Sequence, residues 1–171
     1  MPSCSWANQI NNRNFLSGIG FKFNLAKYPK VDFFCNTAKI PEITLATATQ
    51  PSYLKDLDIP GEKLTYGDLT IQFLVDENME NYRTVYDWLV GLGYPDNFDQ
   101  RANLIASSHI YSDASLLITT NQYKPNIDIS FIDIYPTSLS SVEFNIEQGD
   151  VEYLNADVTF SYRRYKLTAV T

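Results

Sequence analysis

The chain contains a single histidine, the side chain that most often acts as a general acid or base in catalytic sites. That residue is His109, and its neighbours in sequence include Ser108 and Asp113. A serine–histidine–aspartate triad must converge in space, and nearness along the chain gives no support for such convergence. We therefore interpret His109 as a surface loop residue.

Acidic residues between positions 76 and 80 are the best candidates for a metal site. Asp76, Glu77 and Glu80 are close in sequence, but the glycine and ligand spacing of a calcium-binding EF-hand loop are absent. Asp76 and Asn78 are good N-cap types, and carboxylates favour the partial positive charge at a helix N-terminus. Phosphate-binding loops, dinucleotide fingerprints and nucleophile elbows are also absent. We expect no cofactor, no bound metal and no enzyme activity.

The acidic segment lies between the clearest strand and the clearest helix of the sequence. Leu69, Ile71 and Phe73 alternate with polar residues, which predicts a strand with one buried face. Apolar residues at helical spacing follow and predict one α-helix over about residues 79–91. The predicted buried face of this helix consists of Met79, Tyr82, Val85, Tyr86 and Leu89.

The rest of the chain indicates one mainly β domain. The chain has 171 residues, including 12 Tyr and 10 Phe, and aromatic and β-branched residues pack well on a pleated surface. Residues 21–26 and 31–38 alternate around Tyr28-Pro29-Lys30, which predicts a hairpin. We predict an antiparallel β-barrel or sandwich of about eight strands, with the one helix packed at its side.

Two further signals concern the segment around residues 127–136. The apolar phase changes between Phe131 and Ile132, which indicates a β-bulge, although a strand buried on both faces would look similar. Pro136 is expected to end this strand. Residues 93–112 have no clear period and are expected to be irregular.

Residues 40–58 are rich in Thr and Ala and contain Pro41 and Pro51. This stretch favours strand structure but lacks amphipathic alternation. Two interpretations remain open: a long protruding hairpin or extended edge, or a buried strand followed by a surface loop. Pro60-Gly61 indicates a turn after it.

The domain is predicted to span residues 15–171, preceded by a polar arm over residues 1–14. The arm contains Trp6 as an isolated large apolar residue. It is either a frayed terminus or a segment that docks on a neighbouring molecule.

The net charge is −7, and its distribution is uneven. Residues 125–162 contain no Lys, Arg or His against seven acids, whereas a nucleic-acid binder would show the reverse. Simple solubility explains this pattern. The sharper alternative is a surface that repels DNA, or an acidic end that meets the basic end of the next copy.

Cysteine content and hydropathy indicate where the protein is made. Cys4 and Cys35 are interpreted as free thiols, since one pair alone gives no disulfide framework. No run of about 18 apolar residues and no signal peptide is present. We expect assembly in a cytoplasm.

Three stretches carry a family resemblance: FKFNLAKYPKVDFFCNTAKIPEI, then GEKLTYGDLTIQFLVDENMENYRTVYDWL, and the final DVTFSYRRYKL. In their order they resemble the tail tube proteins of contractile-tailed, T4-like bacteriophages. The inner-tube proteins of type VI secretion systems and tailocins are similar in fold. The resemblance covers about residues 15–167.

The resemblance implies a structural virion protein. Its relatives form hexameric rings that stack head to tail into a tube, through which genomic DNA passes without specific binding. The implied partners are further copies of the chain, tail sheath proteins and baseplate proteins. A ring-forming baseplate tube-initiator or a tail terminator would share the fold and remains an alternative.

The resemblance also implies which residues touch other subunits. Residues 40–53 would match an extended loop that reaches the next ring, and the arm near Trp6 and Phe15 would pack on an adjacent subunit. The implied contact residues are Trp6, Phe15, Leu16, Ile40, Pro41, Ile43, Leu45, Thr47, Thr49, Gln50, Pro51 and Tyr53. The implied lumen-facing residues are Gln72, Asp128, Asp157 and Thr159. An acidic lumen would not hold DNA, because adhesion to phosphate needs Lys and Arg.

A hypothesis from another class is a ligand-binding β-sandwich whose exposed Tyr and Trp form the platform. It predicts a monomer with an aromatic cleft. The tube hypothesis instead predicts self-association and exposed apolar residues over residues 40–54 of the isolated subunit.

Overall fold

A long bent strand joins the two main sheets of the molecule. The computed structural model describes residues 15–16, 18–29, 34–93, 99, 101–102, 105, 110–145 and 153–170. The predicted arm with Trp6, and also His109 and Cys4, lie outside these residues. The elements within them are β1 (Phe21–Leu25), β2 (Cys35–Lys39), β3 (Ile43–Gln50), β4 (Leu57–Tyr66), β5 (Leu69–Leu74), α1 (Glu80–Gly93), β6 (Ser112–Thr119), β7 (Pro125–Leu139), β8 (Asn155–Ser161) and β9 (Arg164–Ala169).

Strand β7 takes part in two sheets because its two halves have different partners. Its first half pairs with β6 and β9, and its second half pairs with β8. The first sheet has the order β1-β6-β7-β9 and the second the order β7-β8-β5-β2, with every pair antiparallel. This mainly β, antiparallel architecture with a flanking helix is the predicted fold class.

The bend in β7 is a β-bulge. The register with β6 shifts between the pairs Ala114–Phe131 and Ser112–Ile134, and Asp133 adopts a left-handed φ of 57°. Phe131 and Ile134 are both buried although they are three residues apart, so the side chains that point inward change from odd to even positions across the bulge. The predicted bulge is confirmed.

Two predictions about strand boundaries and pairing are wrong. Pro136 does not end β7, which continues to Leu139. Pro136 pairs with Phe160 of β8, and the register with β8 shifts directly after it, so the proline lies at a bulge, where a residue without an N–H is tolerated.

The predicted hairpin of residues 21–38 is also absent, because β1 and β2 lie at opposite ends of the sheet order. β1 pairs instead with β6, where Phe23 and Leu25 lie opposite Leu116 and Ala114 and all four side chains are buried. The turn at Tyr28-Pro29 therefore begins a crossing between sheets. Burial of the apolar face determined the partner of β1, and local turn chemistry did not.

The core lies between the inward faces of the two sheets and is closed on one side by α1. Its fully buried members include Leu69, Ile71, Phe73, Ile129, Phe131, Ile134, Val158 and Phe160. Trp88 of α1 is also fully buried, contacts Phe160 and Tyr28 with its ring, and donates an Nε1–H hydrogen bond of 3.1 Å to the Ile110 carbonyl.

The buried face of α1 differs from the predicted one. Val85 and Trp88 are buried, but Tyr86 is 53% exposed and Met79 precedes the helix with a φ of 52°. The face is rotated because the large indole of Trp88 takes the central core position, and burying a ring of that size contributes more than burying a tyrosine edge. Residues 99, 101–102 and 105, which belong to the segment expected to be irregular, are helical.

A buried amide ties β5 to the start of α1. Asn81 is 1% exposed; its Nδ2 donates to the Leu74 carbonyl at 2.8 Å, and its Oδ1 accepts from the Asp76 N–H at 3.2 Å. Asn81 thus satisfies backbone groups that the strand-to-helix connection would leave unpaired. The predicted cap residue Asp76 accepts a hydrogen bond from the Glu77 N–H instead.

We predict that Asn81→Ala lowers the free energy of unfolding by about 2 kcal/mol, because it leaves a carbonyl and an N–H without partners. Chemical denaturation followed by tryptophan fluorescence measures this. The matched control is Asn121→Ala in the exposed turn after β6, expected to change stability by under about 0.5 kcal/mol. Equal effects of the two substitutions would contradict the proposed tie.

Candidate functional site

A two-stranded hairpin projects from the two main sheets. Strands β3 and β4 pair only with each other among the described residues, and all eight residues of β3 are exposed. This confirms the protruding hairpin, and the alternative of a buried strand followed by a loop is wrong.

The hairpin exposes a large amount of apolar surface. Cross-strand partners Ile43–Tyr66 and Leu45–Leu64 share one face, since residues two apart on a strand point the same way. The exposed apolar side chains of the hairpin and its flanks are Ile40, Ile43, Leu45, Tyr53, Leu54, Leu57, Ile59 and Leu64. Leu57 and Ile59 pair with Gln50 and Ala48 and so lie on the face opposite Ile43 and Leu45, which leaves apolar side chains exposed on both faces of the hairpin. So many exposed large apolar side chains in one element give the hairpin the character of an interaction surface.

A bulge in β4 bends the hairpin near its middle. The register shifts between the pairs Leu45–Leu64 and Thr47–Pro60, so Gly61 and the two residues after it lie opposite Ala46 alone. Pro60-Gly61 therefore lies within β4, and the predicted turn at this point is wrong. A Cβ on Gly61 would overlap the Ala46 carbonyl, which explains the glycine as a site of close backbone approach.

The described contact residues implied by the resemblance fall into two groups. One group belongs to the hairpin: Ile43, Leu45, Thr47, Thr49 and Gln50 lie on β3, and Pro51 and Tyr53 form the tip, with Tyr53 100% exposed.

The remaining residues of that set lie at the hairpin root and in the segment before β1. Pro41 is buried beside the exposed Ile40, so it adds no exposed surface. Phe15 and Leu16 are exposed and border a groove with the turn after β6. Trp6 is outside the described residues.

The root of the hairpin is held by two phenol groups. Tyr162 Oη donates to the Gly67 carbonyl at 2.8 Å, and Tyr165 Oη donates to the Pro41 carbonyl at 3.2 Å. Both rings contact Tyr66 at the end of β4, with centroid distances of 6.2 and 5.7 Å. Burial, and then the neighbouring Tyr165, Asp68 and Tyr66, raise the pKa of Tyr162 to about 12, so its hydroxyl keeps its proton.

Sequence reasoning missed these tyrosines. The two tyrosines are three residues apart, with two arginines between them, and this spacing departs from the alternation of a regular strand. That departure was the available signal.

Three of the four residues assigned to a lumen lie together. Gln72 pairs with Asp157. Thr159 lies two residues further along β8, on the same outer face of the second sheet, and pairs with Thr70. Asp128 is separate, because it pairs with Leu117 and Thr168 on the outer face of the first sheet.

The outer face of the second sheet is polar and nearly neutral. The outward residues of β2, β5 and β8 include Thr37, Thr70, Gln72 and Thr159, with Lys39 and Asp157 as the charged ones. The acids of residues 125–162 that the structure describes are dispersed; Asp133, for example, forms an exposed ion pair with Arg163 at 3.6 Å. An acidic lumen remains a prediction.

The described residues offer little that could support chemistry. In that part of the chain no His, Cys, Asp and Glu side chains gather in a group that could hold a metal ion, and no helix is long and apolar enough to cross a membrane. Cys35 is a free thiol, and burial raises its pKa to about 12, which keeps it protonated and unreactive.

Comparison with known proteins identifies the class. The sequence model of the phage tail tube protein family matches residues 5–168, so the chain belongs to that family. The family resemblance drawn from the three quoted stretches is thereby confirmed. The family and the relatives below consist of structural tube and terminator proteins, and the chain is accordingly a structural protein rather than an enzyme.

Individual relatives add detail. The chain is 23% identical over 169 residues to the tail tube terminator protein of Enterobacteria phage T4, covering 94% of this chain and 89% of that protein. Its fold is similar to the tube-terminating cap of the anti-feeding prophage, with a TM-score of 0.67 and 16% identity over 98% and 99% of the two chains. A chain of the sheath–tube complex of the PVC extracellular contractile injection system gives a TM-score of 0.64 and 16% identity over 92% and 94%.

We predict that Gly61→Ala distorts the hairpin without unfolding the two packed main sheets and α1, which are called the barrel below, because the new Cβ meets the Ala46 carbonyl. Hydrogen exchange should rise in β3 and β4 and stay unchanged in β5 and β8. Gly18→Ala is the control, since a Cβ there meets nothing within 4 Å. Unchanged exchange in the hairpin would contradict the close approach.

Proposed function

We propose that this chain forms a ring that ends a phage tail tube, and that the β3–β4 hairpin is its contact with the adjoining ring. The observation that carries the proposal is the exposed apolar hairpin, which a solitary chain leaves in water. Burying each large apolar side chain of that surface contributes about 1.5–3 kcal/mol before the cost of association.

The terminal position in the tube is supported by the relatives. The terminator of phage T4 aligns with nearly the whole chain, and the anti-feeding prophage cap has a similar fold over 98% of it. A chain from the PVC sheath/tube terminator structure has a TM-score of 0.61 and 16% identity, over 91% of this chain and 98% of its own length.

Ring formation is supported by the open edge of the second sheet. Strand β2 pairs with β5 on one side, and its other edge has no strand partner among the described residues. An open edge pairs readily with a strand of another chain. A head-to-tail contact between identical neighbours closes into a ring when the rotation permits, and we propose the hexameric ring of the family.

We propose that the outer face of the second sheet, with Gln72, Asp157 and Thr159, lines the channel. Lys39 is the one base among the outward residues of β2, β5 and β8 in the described structure, so this face offers phosphate little attraction. DNA would then pass without being held. Asp128 lies on the other sheet and is left out of the proposed lining.

The other proposed partners are tail sheath and baseplate proteins, with assembly in the host cytoplasm. Structures of a sheath–tube complex and of the anti-feeding prophage baseplate contain chains of similar fold, the latter with a TM-score of 0.62.

The second candidate is a polymerising tube subunit. It is favoured by the similar TM-score of the PVC sheath–tube chain and by the hairpin itself, which a repeat unit would use at every ring. The ligand-binding module has less support, because Tyr66, Tyr162 and Tyr165 pack against one another instead of lining a cleft.

Electron microscopy separates the candidates. The purified protein is imaged over a concentration series, alone and with tubes assembled from the tube protein of the same phage. A terminator forms single rings that bind one tube end and stop elongation. If the protein alone forms tubes whose length rises with concentration, it is a polymerising tube subunit. If it stays monomeric and does not bind tubes, both candidates are wrong.

We predict that Leu45→Asp weakens binding of the rings to tube ends about thirtyfold while the chain stays folded. Leu45 is 44% exposed, so a carboxylate there meets water in the free subunit but is desolvated in the contact. A loss of about 2 kcal/mol corresponds to about thirtyfold weaker binding in a pull-down or microscopy assay.

The matched control for this prediction is Val170→Asp, because Val170 is 43% exposed and lies outside the hairpin. It should leave binding unchanged. Circular dichroism should be unaltered in both variants, in contrast to Ile71→Asp in the core. Loss of the folded signal in Leu45→Asp would contradict the intermolecular role of the hairpin.

A further inference from the structure

The orientation of the hairpin is not determined by packing of the hairpin itself. Strands β3 and β4 pack almost only against each other, and they join the barrel through two short connections, residues 40–42 and 67–68. A sheet attached in this way can rotate about its two connections unless a further contact braces it.

The brace that the structure contains is the aromatic cluster at the hairpin root. Phe131 lies in the core and contacts the rings of Tyr162 and Tyr165 at 5.1 and 5.7 Å, and these in turn contact Tyr66 of β4. The rings thus form a continuous path from the bend of β7 to the last residue of the hairpin.

The two hydroxyls complete the brace because they hold both connections at once. Gly67 follows the last residue of β4, and Pro41 lies two residues before β3. Their carbonyls accept from Tyr162 and Tyr165, which flank the junction between β8 and β9. The Gly67 N–H also donates to the Glu42 carbonyl at 3.0 Å, which closes the root across its two strands.

We propose that Tyr162 and Tyr165 are positioning residues that fix the angle between the β3–β4 hairpin and the barrel before the subunit meets its neighbour. Fixing the angle in the free subunit removes an ordering cost from the later contact, as preorganisation does in other interfaces. The consequence for assembly rests on the proposed function of the hairpin, whereas the fixed angle does not.

The raised pKa of Tyr162 is consistent with this role, because only a protonated phenol donates to a carbonyl. The causes of the shift include burial and the neighbouring rings of the same cluster. The Tyr162 hydroxyl therefore stays a hydrogen-bond donor well above physiological pH.

The test is a distance measurement within the free subunit. Spin labels are attached through Thr49→Cys on the hairpin and Asn121→Cys on the barrel, with both natural cysteines replaced by serine. Electron–electron double resonance then gives the distribution of the label separation. We expect one narrow distance in the parent chain and a broadened or multimodal distribution in Tyr162→Phe/Tyr165→Phe, which keeps both rings and loses both hydroxyls.

The control is Tyr123→Phe/Tyr153→Phe, since these two side chains are 75% and 79% exposed. It should retain the narrow distance. The single variants Tyr162→Phe and Tyr165→Phe replace the double variant if its thermal unfolding shows loss of the fold. Distributions identical to the parent in the folded variants would overturn the proposal.

Assembly supplies a separate readout. One ordinary hydrogen bond changes an equilibrium constant about fivefold, so we expect each lost hydroxyl to raise the concentration needed for half-maximal tube-end binding by about that factor. If Leu45→Asp binds tube ends as well as the parent chain does, the proposed function fails. This variant should keep the narrow label distance, so its binding does not test the brace. Failure of the brace appears in the label distance, whatever the Leu45 variant does.

Discussion

The antiparallel pairing of the bent strand β7 with the successive strands β8 and β9 is the constraint on which the rest of the structure depends. β7 bends at Asp133, and the strand opposite breaks at the same level between β8 and β9, where the Arg163 N–H donates to the Ile132 carbonyl at 3.1 Å. β7 and the β8–β9 segment change direction at the same level. The first sheet therefore continues into the second, and β7 stays paired on that side through the corner. The inward phase changes there as well, so Phe131 and Ile134 both reach the same core. A bulge of this kind is a designed bend rather than a local defect.

That corner connects the packed core of the molecule to the hairpin that we propose as its contact with other molecules. The core of the barrel is filled by residues from both sheets and by Trp88 of α1, and it does not require the hairpin. The hairpin buries little of its own apolar surface. Tyr162 and Tyr165 leave the corner and contact the hairpin root, which makes the junction of β8 and β9 the mechanical link between the two parts.

The sequence was sufficient for features that local periodicity encodes. The strand β5 and the helix that follows it were predicted from alternation and spacing within a few residues, whereas the bulge in β7 and the exposed hairpin were each one of two interpretations that the sequence left open. Features that depend on distant partners were not accessible. β1 and β2 look like a hairpin in sequence but pair with β6 and β5, because the competition among apolar faces is decided across the whole fold. The rotated face of α1 and the separation of Asp128 from Gln72, Asp157 and Thr159 have the same origin.

The energetic independence of the hairpin has a consequence for how such proteins diverge. Substitutions at Ile43, Leu45 or Leu64 alter a surface that is already in water, so they change the stability of the barrel little. The contact proposed for the hairpin can therefore change in sequence while the barrel stays under the constraint of packing. Under the proposed function, such changes would give the tails of different phages end rings that fit only their own tubes, on a shared barrel. Gly67 and Pro41 would mark the boundary between fast and slow change. They lie in the connections of the hairpin, and their carbonyls accept hydrogen bonds from tyrosines of the barrel.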